Sequence, residues 1–300
     1  VALSFQGAMQ RLGGTVLNAN MPNTRESYQD TLMMLNGYTD SIAIRSLDVN
    51  DMRYIIATNH CKSIINGGHD EHPVQALIDL FTILGEYGSS FTKENFGVDL
   101  IGMAGIHPCT TLEVDVDVQF ISASNNNVSN TKPVNISSQQ QSKLMTITIA
   151  GDLKHSSSVH SLIKMLCICG GNILFQFVSP KTLELSPNLI TDIINADMSY
   201  QFLPDLQAAI STTDVLYCTR LHIEQFVNEI PMTEIFQWAM KYVVNEELMM
   251  NAKPSVIVMH PLPRLFEIPT EFDSDPRAAY FRQQQNGQYV LMALLEKILK

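Results

Sequence analysis

The sequence predicts an α/β protein built as two doubly wound parallel-sheet lobes joined by helices. Three observations predict it. Short apolar runs with strand character alternate with stretches of helical period, the alternation restarts after a polar interruption, and a chain of 300 residues is long enough to bury two cores.

Residues 4–12 set Phe5, Met9 and Leu12 at helical spacing, and Gly13-Gly14 stops the pattern. "TVLNA" (15–19) then reads as a strand, 28–35 as a helix, "DSIAIRS" as a strand, 52–59 as a helix and "SIIN" as a strand. This βαβ rhythm gathers ligands at the carboxyl ends of its strands. The long helix in "HPVQALIDLFTILGEYG" closes the first half, with Pro73 suited to a first helical turn. The second half opens on the strand in "KLMTITIAGDLK". A helix through "VHSLIKMLCICGG", a strand "NILFQFVS", a helix "NLITDIINA" and strands in "DVLYCTR" and "PSVIVMH" follow. A last helix, 280–299, is placed to pack back on the first lobe. Between the halves, "TLEVDVDVQF" alternates apolar and acidic residues like an exposed strand, and "SASNNNVSNTKPVNISSQQQS" is polar low complexity. Residues 91–142 are therefore read as a disordered insertion. The expected lobes are 1–90, completed by the helix at 280–300, and 143–279.

With 19 basic against 30 acidic residues the net charge is −11, which argues against a nucleic-acid surface. No apolar stretch approaches the roughly 18 residues of a membrane span, and no charged-then-apolar leader opens the chain, so a cytoplasmic protein is expected. The chain opens on Val1 and enters a helix almost at once, which reads as a fragment whose amino-terminal part is missing. Cys167 and Cys169 are too close for a zinc pattern, and the cysteines read as reduced core thiols.

Arg45, His72, Arg220 and Arg264 fall at or near strand ends, with Asp152 beside them. Any one arginine alone is most simply a surface ion pair. Together they suit a small substrate with several negative charges, because the guanidinium fork grips phosphate or carboxylate through two bonds. No Gly-x-Gly-x-x-Gly follows the strand in "TIAGDLKHSSS", which argues against a dinucleotide site there.

These residues sit in "GGHDEHPVQALIDLFTI", "GDLKHSSSVHSL", "TDVLYCTRL", "VMHPLPRLFEI" and "DSDPRAAYFRQQQNGQYVLMALL". Together the motifs resemble the aspartate carbamoyltransferases, in particular the transcarbamoylase domain of the animal-type multifunctional pyrimidine-synthesis protein. The likeness covers nearly the whole chain outside 91–142. Pro261 favours the aspartate branch, since ornithine carbamoyltransferases are expected to carry cysteine there. The resemblance implies a carbamoyl-phosphate lobe followed by an aspartate lobe, and transfer of the carbamoyl group to L-aspartate without metal or other cofactor. It makes His72 the donor to the carbamoyl oxygen, Gln75 the holder of the carbamoyl amide and Arg45 a bridge between that oxygen and the phosphate. Arg220 would hold an aspartate carboxylate, with His222 where the family carries glutamine. The Leu262 carbonyl would accept substrate amino groups, with a cis bond before Pro263 aiming it into the cleft. A homotrimer with sites between subunits, and fusion to or association with other pyrimidine-synthesis enzymes, are implied as partners.

The chain departs from the family pattern at three further places. Val1 and Ala2 are all that stand where a phosphate-binding Ser-Thr-Arg-Thr-Arg is expected, Thr24 replaces a lysine donated to a neighbouring subunit, with Arg25 next to it, and Ser157 replaces an arginine. Each lost charged hydrogen bond would remove roughly 1.5–3 kcal/mol, and every ~1.4 kcal/mol is about tenfold in rate. Two expectations follow: a working carbamoyltransferase, or a catalytically impaired homologue kept as a trimeric scaffold or subunit.

Overall fold

The computed structural model describes residues 2–19, 28–45, 63–68, 71–87, 144–221 and 239–299. The expected helix at 52–59 and the segment at 91–142 lie outside the described residues.

Helix α1 (Ala2–Arg11) buries Phe5 and Ala8 on one face and ends at Gly13, whose φ of 83° suits a residue without Cβ. Residues 15–19 do not form the expected strand. They make no ladder among the described residues and leave Leu17 at 64% exposure, because apolar alternation yields a strand only where a neighbour supplies the pairing. Helix α2 (Tyr28–Tyr38) covers a small parallel sheet of β1 (Ile42–Ile44) and β2 (Ile64–Asn66), in register Ile42 to Ile64, by packing Leu32 on Ile42 and Ile44.

Helix α3 (Pro73–Tyr87) is apolar over a wide arc and serves two cores. Ala76, Leu80 and Ile83 join the core beneath the second sheet, whereas Val74 and Ile78 join Phe5, Ala8 and Ile65 of the first lobe. One residue on this buried arc, Asp79, is charged.

The second lobe is a five-stranded, all-parallel sheet. Its strands are β3 (Met145–Ala150), β4 (Ile173–Val178), β5 (Ser199–Leu203), β6 (Val215–Cys218) and β7 (Ile257–Met259), in spatial order β5-β4-β3-β6-β7. Every residue of β3 is buried, as a strand covered on both faces must be. Helices α4 (Ser157–Cys169), α5 (Pro187–Asn195) and α6 (Leu206–Ala209) follow β3, β4 and β5, and α7 (Glu246–Met250) precedes β7. Asp205 and Asn245 cap α6 and α7 by accepting from the N–H groups of Ala208 and Leu248. The strand order reverses between β3 and β6, so the crevice above that pair is the topological switch point where such sheets hold ligands.

After β7 the chain turns through residues 260–279 into α8 (Tyr280–Leu299), which packs on α1 and α3. Among the described residues no helix is long and apolar enough to cross a membrane.

Candidate active site

Pro73 has no N–H to lose at the start of α3, which leaves His72 to cap the helix. The Gln75 N–H donates to His72 Nδ1 at 3.3 Å, and the His72 N–H donates to Ser161 Oγ at 2.7 Å, tying the helix start to α4. A nitrogen that accepts carries no proton, so the neutral ring holds its proton on Nε2. Burial first, and the Arg45 charge second, push the His72 pKa down to about 4, so the ring is neutral at physiological pH and keeps one N–H to give. Gly68, just beyond β2 with φ of 110°, holds the ring from the other side. A Cβ there would stand 2.6 Å from imidazole Cδ2 and Nε2. Arg45 follows β1 directly and is exposed, within electrostatic reach of His72.

One turn further, Gln75 Nε2 donates to Asp79 Oδ1 at 2.7 Å. The same carboxylate accepts from Tyr217 Oη of β6 at 2.8 Å and from Gln283 Nε2 of α8 at 2.6 Å. Burial pushes the Asp79 carboxyl up to about 7 even though these three hydrogen bonds pull it down. Gln283 Oε1 in turn accepts the N–H of His260 at 3.0 Å. His260 Nε2 lies 2.8 Å from Glu267 Oε1, and His260 Nδ1 accepts the Leu262 N–H at 2.8 Å, so the ring donates to the carboxylate. Burial alone would raise Glu267, but hydrogen bonds from His260 and the Leu265 N–H hold it below its ordinary value.

The Leu262-Pro263 bond is cis, and Leu262 has φ of 46°, a left-handed conformation that costs a leucine about 1–2 kcal/mol. The loop is held by the His260 and Glu267 side chains on its inner side. A continuous polar path therefore runs from Gln75 through Asp79, Gln283 and His260 to the Leu262 backbone.

Arg220 follows β6 at the switch point. Beside it, the ends of β3 and β6 press together: a Cβ on Gly151, φ 123°, would fall 2.3 Å from the Thr219 carbonyl oxygen. Ser156 Oγ and Thr219 Oγ1 are 3.1 Å apart. Ser157 opens α4 and is half-buried, and Ala2 is exposed at the start of α1. Val1, Thr24 and His222 lie outside the described residues.

One member of the expected anion-binding group, Arg264, and its neighbour Asp152 have other employment. Both guanidinium NH2 groups of Arg264 donate to Asp273, one at 2.7 Å, and the guanidinium lies 5.1 Å from the Tyr280 ring centroid. That fork is committed to the loop itself, since the carboxylate sits nine residues away on the same turn. Asp152 accepts the N–H groups of Lys154 at 3.1 Å and His155 at 2.9 Å, closing the turn after β3. Sequence reasoning also passed over Asp79, Tyr217, Gln283 and Glu267. The available signal was Asp79, a lone acid between Ala76, Leu80 and Ile83 on the apolar arc of α3.

Residues 1–85 match the family model of the carbamoyl-P binding domain, and residues 143–298 the Asp/Orn binding domain, of aspartate/ornithine carbamoyltransferase. The chain is 33% identical over 302 residues to multifunctional protein CAD of Squalus acanthias, covering 99% of this chain and 11% of that protein. It spans the same small share, 11%, of multifunctional protein pyr1-3 of Dictyostelium discoideum. It is 35% identical over 306 residues to the aspartate carbamoyltransferase catalytic subunit of Clostridium botulinum, covering 99% of this chain and 80% of that one. Among solved structures, the catalytic subunit of M. jannaschii aspartate transcarbamoylase superposes with a TM-score of 0.74 at 29% identity, over 99% of this chain and 80% of that one. The Trypanosoma cruzi aspartate transcarbamoylase bound to N-(phosphonacetyl)-L-aspartic acid gives 0.69 at 28% identity, over 98% and 77%.

Proposed function

The chain belongs to the aspartate carbamoyltransferase family, and from that premise we propose that it transfers the carbamoyl group of carbamoyl phosphate to the amine of L-aspartate, yielding N-carbamoyl-L-aspartate and phosphate for pyrimidine synthesis. The observation that carries the reading is the His72 ring: neutral, with its proton fixed on Nε2 by the helix cap, and set within reach of the Arg45 charge.

In this reaction the aspartate amine attacks the carbamoyl carbon, a C–N bond forms, and negative charge gathers on the carbamoyl oxygen. His72 Nε2–H donates to that oxygen without giving up its proton, because a ring held neutral down to about pH 4 is a poor acid and a steady donor. Arg45 lies between this oxygen and the phosphate. Gln75 holds the carbamoyl NH2. Collapse then breaks the C–O bond to phosphate, which leaves with the electron pair, while the amine nitrogen loses a proton. Arg220, with His222, takes an aspartate carboxylate at the switch point, and the Leu262 carbonyl, followed by Pro263, accepts from the aspartate amine and orients it. A cytoplasmic homotrimer, in a longer multifunctional polypeptide or alongside one, completes the reading.

The test is a melting curve with and without N-(phosphonacetyl)-L-aspartic acid, together with an assay of N-carbamoyl-aspartate formation. A ligand present at 100 times its Kd adds about 2.7 kcal/mol of stability and raises Tm. An unchanged Tm with no product overturns the reading and leaves the scaffold role.

A further inference from the structure

A carboxylate accepts hydrogen bonds and donates none, whereas a glutamine amide has one end of each kind. Gln75 turns its NH2 end to Asp79 at 2.7 Å, so its carbonyl Oε1 is the end left for a ligand. Asp79 does not swing to follow Gln75, because Tyr217 Oη at 2.8 Å and Gln283 Nε2 at 2.6 Å hold it from β6 and α8. Without a fixed acceptor at position 79, the amide of Gln75 could rotate by half a turn at little cost and offer N–H groups instead.

The orientation has a chemical consequence. Carbamoyl phosphate and acetyl phosphate share the carbonyl, the bridging oxygen and the phosphate, and differ in carrying NH2 or CH3. An acceptor aimed at that substituent bonds to the amide and gains nothing from the methyl group. We propose that Asp79 is a positioning residue that locks Gln75 with Oε1 toward the substrate, and thereby selects a carbamoyl over an isosteric acyl phosphate. This deepens the carbamoyl-transfer reading and rests on it for the identity of the substrate. The placement of the acid supports it: a carboxylate on the buried arc of α3, with no cation bonded to it among the described contacts, opposes the packing that an apolar residue would give.

The experiment compares Asp79→Asn with the unaltered chain at pH 8, using carbamoyl phosphate and acetyl phosphate as alternative acyl donors. Asparagine keeps the shape but offers one acceptor oxygen and an NH2, so the three incoming donors can no longer all be satisfied and Gln75 is released to turn. The expected result is a rise of about tenfold in KM for carbamoyl phosphate, the value of one hydrogen bond, with KM for acetyl phosphate within about twofold. Equal loss for both donors, or no loss for either, overturns the proposal. Should Asp79→Asn not fold, Tyr217→Phe removes one of the bonds holding the carboxylate, and the same selective rise is expected. A second readout does not depend on turnover: hydrogen exchange of the Gln75 side-chain NH2, followed by NMR, is slow in the unaltered chain and fast in the variant. Unchanged exchange refutes the positioning role even if carbamoyl transfer is observed. Absence of transfer by the unaltered chain refutes the carbamoyl reading, while the exchange measurement still decides on Asp79.

Discussion

The Leu262 N–H donates to Nδ1 of His260, two residues earlier, across 2.8 Å. That one bond fixes the ring so that its other nitrogen meets Glu267, and the pair then props the left-handed backbone at Leu262. Glu267→Ala leaves a buried imidazole N–H without its acceptor and is expected to remove about 1–3 kcal/mol, measured by urea denaturation. Glu267→Gln keeps an acceptor and loses less. Because the Glu267 carboxyl is held below its ordinary value, its contribution is present above the unfolded pKa of 4.5 and fades as pH falls through the folded one. In an assay of the proposed carbamoyl transfer, Glu267→Gln is expected to raise KM for aspartate more than KM for carbamoyl phosphate. The reverse order would remove the loop from aspartate binding.

His72→Ala is expected to lower kcat by about 10²–10³-fold, the usual effect of deleting one donor to a developing oxyanion. With its pKa at about 4, His72 contributes no limb to the rate profile between pH 5 and 8. An NMR titration of the ring checks this directly, and a midpoint near 6.5 would contradict it. Between pH 4 and 6.5 the unfolded chain binds a proton here that the folded chain refuses, so this group makes stability fall on acidification across that window.

Gly68→Ala combines an unfavourable φ of 110° with a Cβ at 2.6 Å from the His72 ring. Expected are a loss of about 1–3 kcal/mol in stability and a fall in kcat as the ring is displaced. A thermal melt and a rate measurement on one preparation suffice. Full activity in Gly68→Ala would show that the ring has room to spare.

Asp79 titrates in the opposite sense to Glu267. In the folded chain it keeps its proton up to about 7, while the unfolded chain gives it up near 3.8, so the folded state binds more protons between those values. Stability from this group therefore declines as pH rises from 4 to 7. The Tm of Asp79→Asn is expected to be flatter with pH than that of the unaltered chain over that range. Parallel curves would mean that Asp79 is ionised throughout.

Where the sequence was legible, local pattern and burial agree. The period of Phe5 and Met9, the Pro73 start of α3, the all-buried β3 and the Tyr280–Leu299 helix are each visible as apolar spacing with a punctuating residue. Residues 15–19 misled because Val16 and Leu17 have strand propensity but no partner strand among the described residues. Strand β5 escaped for the converse reason. It is an edge strand whose residues 199–202 are exposed, so nothing in "SYQF" marks a buried face, and pairing to β4 places it. At the site, His72 with Gln75 could be seen as neighbours on one helix. The Asp79, Gln283 and His260 path could not, since Gln283 lies 204 residues from Asp79 and only packing brings them together. Arg264 was overcounted because a charge in a motif does not reveal that Asp273 is already waiting for it.

The pairing of α1 with α8 also sets an order of assembly. Gln288 donates to the Ser4 carbonyl oxygen across 284 positions of the chain, and Phe5 and Ala8 share a core with Val290, Leu291 and Leu295. On a ribosome, strands β3 to β7 can close their five-stranded sheet without α8. Helix α1 must wait, the part of its apolar side that meets α8 uncovered, until that helix has been synthesised. Helix α1 is thus made before the five-stranded sheet and meets α8 only after it.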